Sequence, residues 1–191
     1  MFYQKILILC FLLFYSKMSV AYLYLEHNFN YQSSTDNFDQ FSLKNMNNIL
    51  FLGASLGKSQ NWIIGQSAIF WSKTHKGGSG LPTSTLSLME LGPRLTWFLN
   101  AGLNFSLSVA YHPYAKGKRT SALLGQAEVL DGSSYLIQFT YLIEVVKYMY
   151  LGASISYHAI QIKTSVIDDV ETKQTLGYND IFPTLAYSFH F

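Results

Sequence analysis

Four charged residues and three histidines stand out because of where alternation places them. Glu26, Glu90, Arg94 and Glu144 fall on the small, polar face of strand-like segments, and so do His112, His158 and His190. A carboxylate or guanidinium that leaves water must find a partner. Arg94 with one or more of the glutamates therefore reads as an ion-pair cluster inside a closed sheet. Such a cluster serves as a gate, as a proton-linked site, or as the polar filling of an interior; filling is the plainer role. The histidines suit hydrogen-bonded interior positions. No H-x-x-x-H or H-E-x-x-H spacing occurs, and a metal needs two or three converging ligands, so neither a metal nor another cofactor is expected. Ser154, Ser156 and His158 share one strand face and invite a hydrolytic reading. That chemistry needs a nucleophile, a base and a group to orient the base, and no acidic partner can be assigned to them.

The elements that must position these residues are strands. Charged residues make up 13% of the 191-residue chain, against roughly 25% in an average soluble domain. Aromatic residues make up 16%, with 14 Tyr and 14 Phe, while mean hydropathy is only +0.15. That combination fits alternating apolar and polar positions in one domain. Net charge is +2, too small to imply a nucleic-acid partner. The first 21 residues differ from the rest. Lys5, an apolar run over 6–15 and Ser19-Val20-Ala21 read as a secretory signal peptide cleaved after Ala21, leaving a domain over 22–191. Cys10 lies in that segment, so the exported domain carries no thiol. Beyond it no stretch reaches the length of a transmembrane helix, which leaves closed strands as the way to cross a bilayer.

Eight strands are expected, over about 22–32, 43–57, 62–73, 85–99, 103–114, 134–145, 149–163 and 182–191. The fifth is the cleanest: Leu103, Phe105, Leu107, Val109 and Tyr111 alternate with Asn104, Ser106, Ser108, Ala110 and His112. The third is ambiguous, because both of its faces mix apolar and polar residues. In the fourth, Pro93 removes a ladder hydrogen bond and suggests a bulge. The seventh breaks pattern at 160–162, where it is expected to bulge or leave the bilayer. Short connections (58–61, 100–102, 146–148) alternate with long ones (33–42, 74–84, 115–133, 164–181). Short turns at one end and long loops at the other are the habit of outer-membrane barrels. Trp62, Trp97, Tyr148 and Phe191 fall near one set of strand ends, and Trp71, Tyr111 and Tyr135 near the other. Amphipathic aromatics settle at both membrane interfaces.

The last strand carries a resemblance. Leu185, Tyr187, Phe189 and Phe191 alternate with Thr184, Ala186, Ser188 and His190 up to a terminal Phe. This resembles the C-terminal signature of bacterial outer-membrane β-barrels, in which Tyr187, Phe189 and Phe191 would be the assembly signal. The whole 22–191 pattern is similar to the small eight-stranded barrels of the OmpW, OmpX and OmpA-domain kind, without a motif specific to one of them. The resemblance implies an all-β, antiparallel up-and-down transmembrane barrel in the outer membrane. Its partners would be the lipid bilayer, lipopolysaccharide, the barrel-assembly machinery and periplasmic chaperones. Lys73, Lys76, Lys116, Lys118 and Arg119, placed in external loops, would contact lipopolysaccharide phosphates by charge-assisted hydrogen bonds; plain solvation explains the same residues. The loop with Asp168, Asp169 and Glu171 is acidic. The Gly-rich tip at 77–80 reads as flexible, and Leu123 and Leu124 as packing over the mouth. The expected role is non-enzymatic: structural, adhesive, or a narrow passage for small or hydrophobic molecules. Two alternatives stand beside it. One is a lipid-modifying acyl hydrolase or transferase using His112 or His158. The other is a secreted soluble barrel around an apolar ligand, which would need the aromatic set buried.

Overall fold

The computed structural model describes residues 22–36, 41–57, 60–76, 83–100, 102–121 and 127–191. Residues 1–21, the segment read as a signal peptide, with Cys10, the tip at 77–80, and Leu123 and Leu124 lie outside the described residues. Eight strands follow in order: β1 (Leu23–Asp36), β2 (Phe41–Ser55), β3 (Trp62–Lys76), β4 (Ser84–Phe98), β5 (Phe105–Ser121), β6 (Ala127–Val146), β7 (Met149–Ile167) and β8 (Val170–His190). Each pairs antiparallel with its neighbour and β8 returns to β1, closing an up-and-down barrel. Closure satisfies the backbone groups that an open sheet would leave unpaired at its edges.

Period-two alternation decides the faces. On β1, Leu23, Leu25, Phe29 and Tyr31 are exposed while Tyr24, Glu26, Asn28 and Asn30 are buried. On β6, Tyr135, Ile137, Phe139, Tyr141 and Ile143 are exposed against buried Leu136, Gln138, Thr140 and Leu142. The large apolar side chains thus cover the outside and the small polar ones turn inward, the inverse of a soluble barrel. The outer belt has a sharp upper border. The uppermost large outward apolar residues on β1, β2, β3 and β4 are Tyr31, Met46, Phe70 and Met89, and on β8 Ile181 gives way to polar Asn179, with exposed Leu176 and Val170 only farther out along the extension. The next outward positions are Ser33, Lys44, Ser72, Ser87 and Asn179. From Ile181 to Phe191 the strand covers about 33 Å, or about 25 Å of height at the ~40° tilt usual for such barrels. At the lower border the Trp62 and Trp97 rings stack with centroids 5.3 Å apart.

The interior is layered, and β4 reads through it in one pass. From the bottom its inward residues are Phe98, then Thr96, Arg94 and Glu90, then Leu88 and Leu86. β7 repeats the order with Tyr150, then Ser154, Ser156 and His158, then Ile160 and Ile162. Two apolar clusters result. The lower holds Tyr24, Phe51, Ile63, Phe98, Leu142 and Tyr150. The upper holds Ile49, Ile69, Trp71, Leu86, Leu88, Leu130, Leu136, Ile160, Ile162 and Phe182. An eight-stranded barrel is narrow enough for side chains to fill it, and here a polar layer lies between two apolar ones.

Several expectations change. The third strand's register is set by Ile63, Ser67, Ile69 and Trp71, all buried inward. Trp71 is therefore part of the upper interior cluster and not of an outer aromatic girdle. The 160–162 run stays in β7 and keeps its alternation; only the interior turns apolar there. The expected irregularity follows directly, between Ile162 and Thr164, and the run lies above Tyr157, the partner of Ile181. The expected long loops are mostly strand. β7 and β8 continue through 164–181 and meet at Asp168 and Asp169, which both have positive φ (50° and 61°). Positive φ at both central residues is what a two-residue type I′ hairpin turn requires. The irregularity at Pro93 is present: the β4–β5 register shifts between Leu91–Tyr114 and Arg94–Ala110. Two β4 residues there face three on β5, so the extra residue belongs to β5 beside Pro113.

The β1–β8 seam is short. Pairing runs from Tyr24–His190 to Phe29–Leu185 and stops. Above it Pro183 has no N–H to give, and its carbonyl accepts instead from Asn30 Nδ2 at 2.6 Å.

Candidate functional site

The buried polar layer gathers most of the residues singled out by the sequence, in two groups. In the lower group, Arg94 Nη2 donates to Glu26 Oε1 at 2.6 Å and to Ser108 Oγ at 2.9 Å. Glu26 also accepts from Asn28 Nδ2 at 2.5 Å and from the Tyr24 hydroxyl. The guanidinium lies over the Phe51 ring, 4.5 Å from its centroid. Arg94 and Glu26 are both fully buried. β4 and β1 bring them together across the lumen, which no local spacing could announce. Tyr24 and Asn28 reach Glu26 because residues two apart share a strand face.

In the upper group, Glu90 is the hub. His158 Nε2 donates to Glu90 Oε2 at 2.8 Å, and the Ser134 hydroxyl donates to the same oxygen. His112 Nδ1 is 3.0 Å from Ser134 Oγ, and its Nε2 is 2.6 Å from Ser67 Oγ. The Ser134 hydroxyl donates to Glu90 and so accepts from His112 Nδ1, and Ser67 Oγ also donates to the Gly92 carbonyl at 3.3 Å. Ser134 stands directly opposite His112 in the β5–β6 register, so sequence pairing held the signal for it. Ser67 lies on the strand whose face was ambiguous.

Other predicted residues fall elsewhere. Glu144 is not interior: it is exposed at the end of β6, where the β6–β7 register shifts, and it accepts from the Tyr148 backbone N–H at 3.3 Å. It is paired with inward Tyr150 and lies at the open lower rim, one inward position below buried Leu142. Ser154 bonds to Asn28 and Thr140 rather than to His158, so its place on the same strand face as His158 does not make a Ser–His pair. His190 is inward, stacked on Tyr150 with centroids 4.1 Å apart. No nucleophile elbow is expected from the sequence, yet the run Gly53-Ala54-Ser55-Leu56-Gly57 does have the G-x-S-x-G spacing. A nucleophile elbow needs a strand-to-helix turn; here Ser55 ends β2, accepts from Tyr22 N at 3.0 Å and donates to Gly57 O at 3.3 Å.

The basic residues expected in loops stand on strand extensions, and alternation splits them. Lys73, His75 and Arg119 line a cavity of about 260 Å³ at the mouth with Leu43, Leu86 and Tyr178. There Arg119 pairs with buried Glu128 at 2.5 Å. Lys76, Lys116 and Lys118 are exposed, and Lys116 Nζ lies 3.1 Å from Asp131. That hydrogen bond and the Asp131 charge raise the Lys116 pKa above its ordinary value. At the closing strand, Phe191 and Leu23 exchange backbone hydrogen bonds of 2.8 and 3.0 Å. Phe189 and Phe191 stack, and the Tyr187 hydroxyl bonds to His27.

This is an eight-stranded β-barrel with a filled interior. No protein-family model matches the chain, and neither does any curated protein. Among solved structures it is similar to the translocator domain of autotransporter NalP from Neisseria meningitidis, with a TM-score of 0.39 and 9% identity. The match covers 86% of this chain and 58% of that one, so the chain spans less than two thirds of the solved structure it resembles.

Proposed function

We propose that the chain is an integral outer-membrane barrel that works through its outer surface as a structural or adhesive envelope protein. The observation that carries this is the inverted polarity of the wall. A belt of exposed Leu, Ile, Val, Phe and Tyr encircles the barrel and gives way to polar outward positions above Tyr31, Met46, Phe70 and Met89 on β1 to β4, while Glu26, Glu90 and Arg94 are held inside. Exposed apolar surface on this scale is unfavourable in water and is what a lipid-facing barrel needs. The belt's height matches a bilayer core. Leu185 and Phe191, 69% and 61% exposed, speak against a soluble barrel that buries its aromatic set.

An even number of strands puts both ends of the barrel domain on one side, the periplasm, with the long β5–β8 extensions outside. Tyr187, Phe189 and Phe191 then sit where the assembly machinery and periplasmic chaperones would meet the closing strand. The filled interior supports a sealed barrel over a passage, and it supports a non-enzymatic role. Glu90, His112 and His158 lie between the two apolar layers, away from the lipid face and the mouth. Refolding into detergent micelles tests the reading. A heat-modifiable gel shift with β-rich circular dichroism is expected. A monomer soluble without detergent and showing no shift would overturn it.

A further inference from the structure

A groove of about 380 Å³ lies on the outer wall where β2 to β5 cross the upper border of the apolar belt. Two ladder rows build it. Phe70, Met89 and Lys116 stand side by side in one row, and Met46, Ser72, Ser87 and Lys118 in the next. The surface thus changes from apolar to cationic and hydroxylated within one row. Ser72 Oγ and Ser87 Oγ are 3.3 Å apart, and Lys118 is exposed. Lys44 adds a further outward cation one row higher, in line with Thr74 and Thr85. The opposite side of the rim differs: the β7–β8 extension exposes three carboxylates, Asp168, Asp169 and Glu171, against two lysines, Lys163 and Lys173. Positive charge therefore gathers on the groove's side.

We propose that this groove holds one lipopolysaccharide molecule, with a lipid A phosphate on Lys118 and Lys116, sugar hydroxyls on Ser72 and Ser87, and an acyl chain over Phe70, Met46 and Met89. The inference rests on the outer-membrane reading and makes it specific. Charge complementarity and position select the occupant. Two cations about 7 Å apart along one strand suit a phosphate, and a row of hydroxyls beside them suits a sugar. The groove opens at the end of the barrel that carries the strand extensions, the outer leaflet in this reading. Lys116 is shared with Asp131, so Lys118 is the main phosphate contact. Lys73 and Arg119 turn into the mouth and take no part.

The test is native mass spectrometry of the barrel refolded in lipid-free detergent and titrated with purified lipid A, dephosphorylated lipid A or phosphatidylglycerol. One lipid A per barrel is expected. Affinity should fall by roughly tenfold or more for dephosphorylated lipid A and for K118E, since charge-assisted bonds are the stronger class. K163E removes an exposed cation from β7 and should bind as the unaltered chain does. Replacing Ser72 and Ser87 with Ala should reduce the preference for lipid A over phosphatidylglycerol. Equal binding by K118E, an equal loss in K163E, or equal affinity for phosphatidylglycerol would overturn the inference. A chain that forms no barrel in micelles overturns the membrane reading itself, whereas a folded barrel that retains no lipid A overturns only this site.

Discussion

At the residue scale, the interior is held by charges that have no alternative partner in lipid. Removing one member of a buried ion pair leaves the other uncompensated, which costs about 3–5 kcal/mol. Arg94→Met is therefore expected to destabilise the folded barrel by about that much, read as a lower urea midpoint in micelles. The double variant Glu26→Gln/Arg94→Met should recover part of the loss, because no bare carboxylate remains; a double-mutant cycle with no coupling would contradict the pair. The residue identities were legible in sequence, since Glu26, Glu90, Arg94, His112 and His158 all lie on alternating inward faces. Their partners were not. Ser67 and Phe51 come from other strands, and which strand faces which across the lumen depends on closure. Glu144 shows the limit of extrapolating burial to a strand end: it stays opposite inward Tyr150, but at the rim of the barrel that face is open to solvent.

At the element scale, two irregular places have definite sterics. Gly92 lies opposite the extra residue of β5, and a Cβ on it would sit 2.0 Å from the Tyr111 carbonyl oxygen. Gly92→Ala must push β5 away and is expected to cost about 1–3 kcal/mol, with a matching drop in unfolding midpoint. At the β7–β8 tip, Asp168 and Asp169 both hold positive φ, a conformation that side chains with a Cβ adopt at a cost. Asp169→Gly should relieve it and stabilise the hairpin by up to about 1 kcal/mol; hydrogen exchange of the Ile167–Val170 end should slow. Pro93 announced the first irregularity but not which strand takes the extra residue. The second was hidden because polar, charged residues read as a loop, although strands beyond the belt need no apolar face.

At the scale of the whole molecule, the wall and the filling make opposite demands on polarity. Val109 and Ile137 face each other on the outside, midway between the ends of the outward apolar run over 105–114 of β5. Val109→Arg places a charge in lipid and is expected to cost about 2–4 kcal/mol, seen as reduced folding into bilayers of defined thickness. A conservative Val109→Ile should fold normally. The two apolar layers predict that the barrel conducts no ions above background in a planar bilayer. Steady single-channel steps in the unaltered chain would show that the layers open.

The sequence by itself determined the strands, their two faces and the inverted polarity, because a period of two and small polar residues opposite aromatics are local properties of the chain. It also distinguished the two ends of the barrel, since the long polar segments that became strand extensions are read along the chain. Only the tertiary structure decided that Arg94 meets Glu26 and that Glu90 joins His158 to Ser134. Only it decided that Trp71 plugs the interior, and that Lys118 and Lys73 serve opposite sides of the wall. These depend on closure and on register between strands far apart in sequence, and a shift of one residue reverses every face.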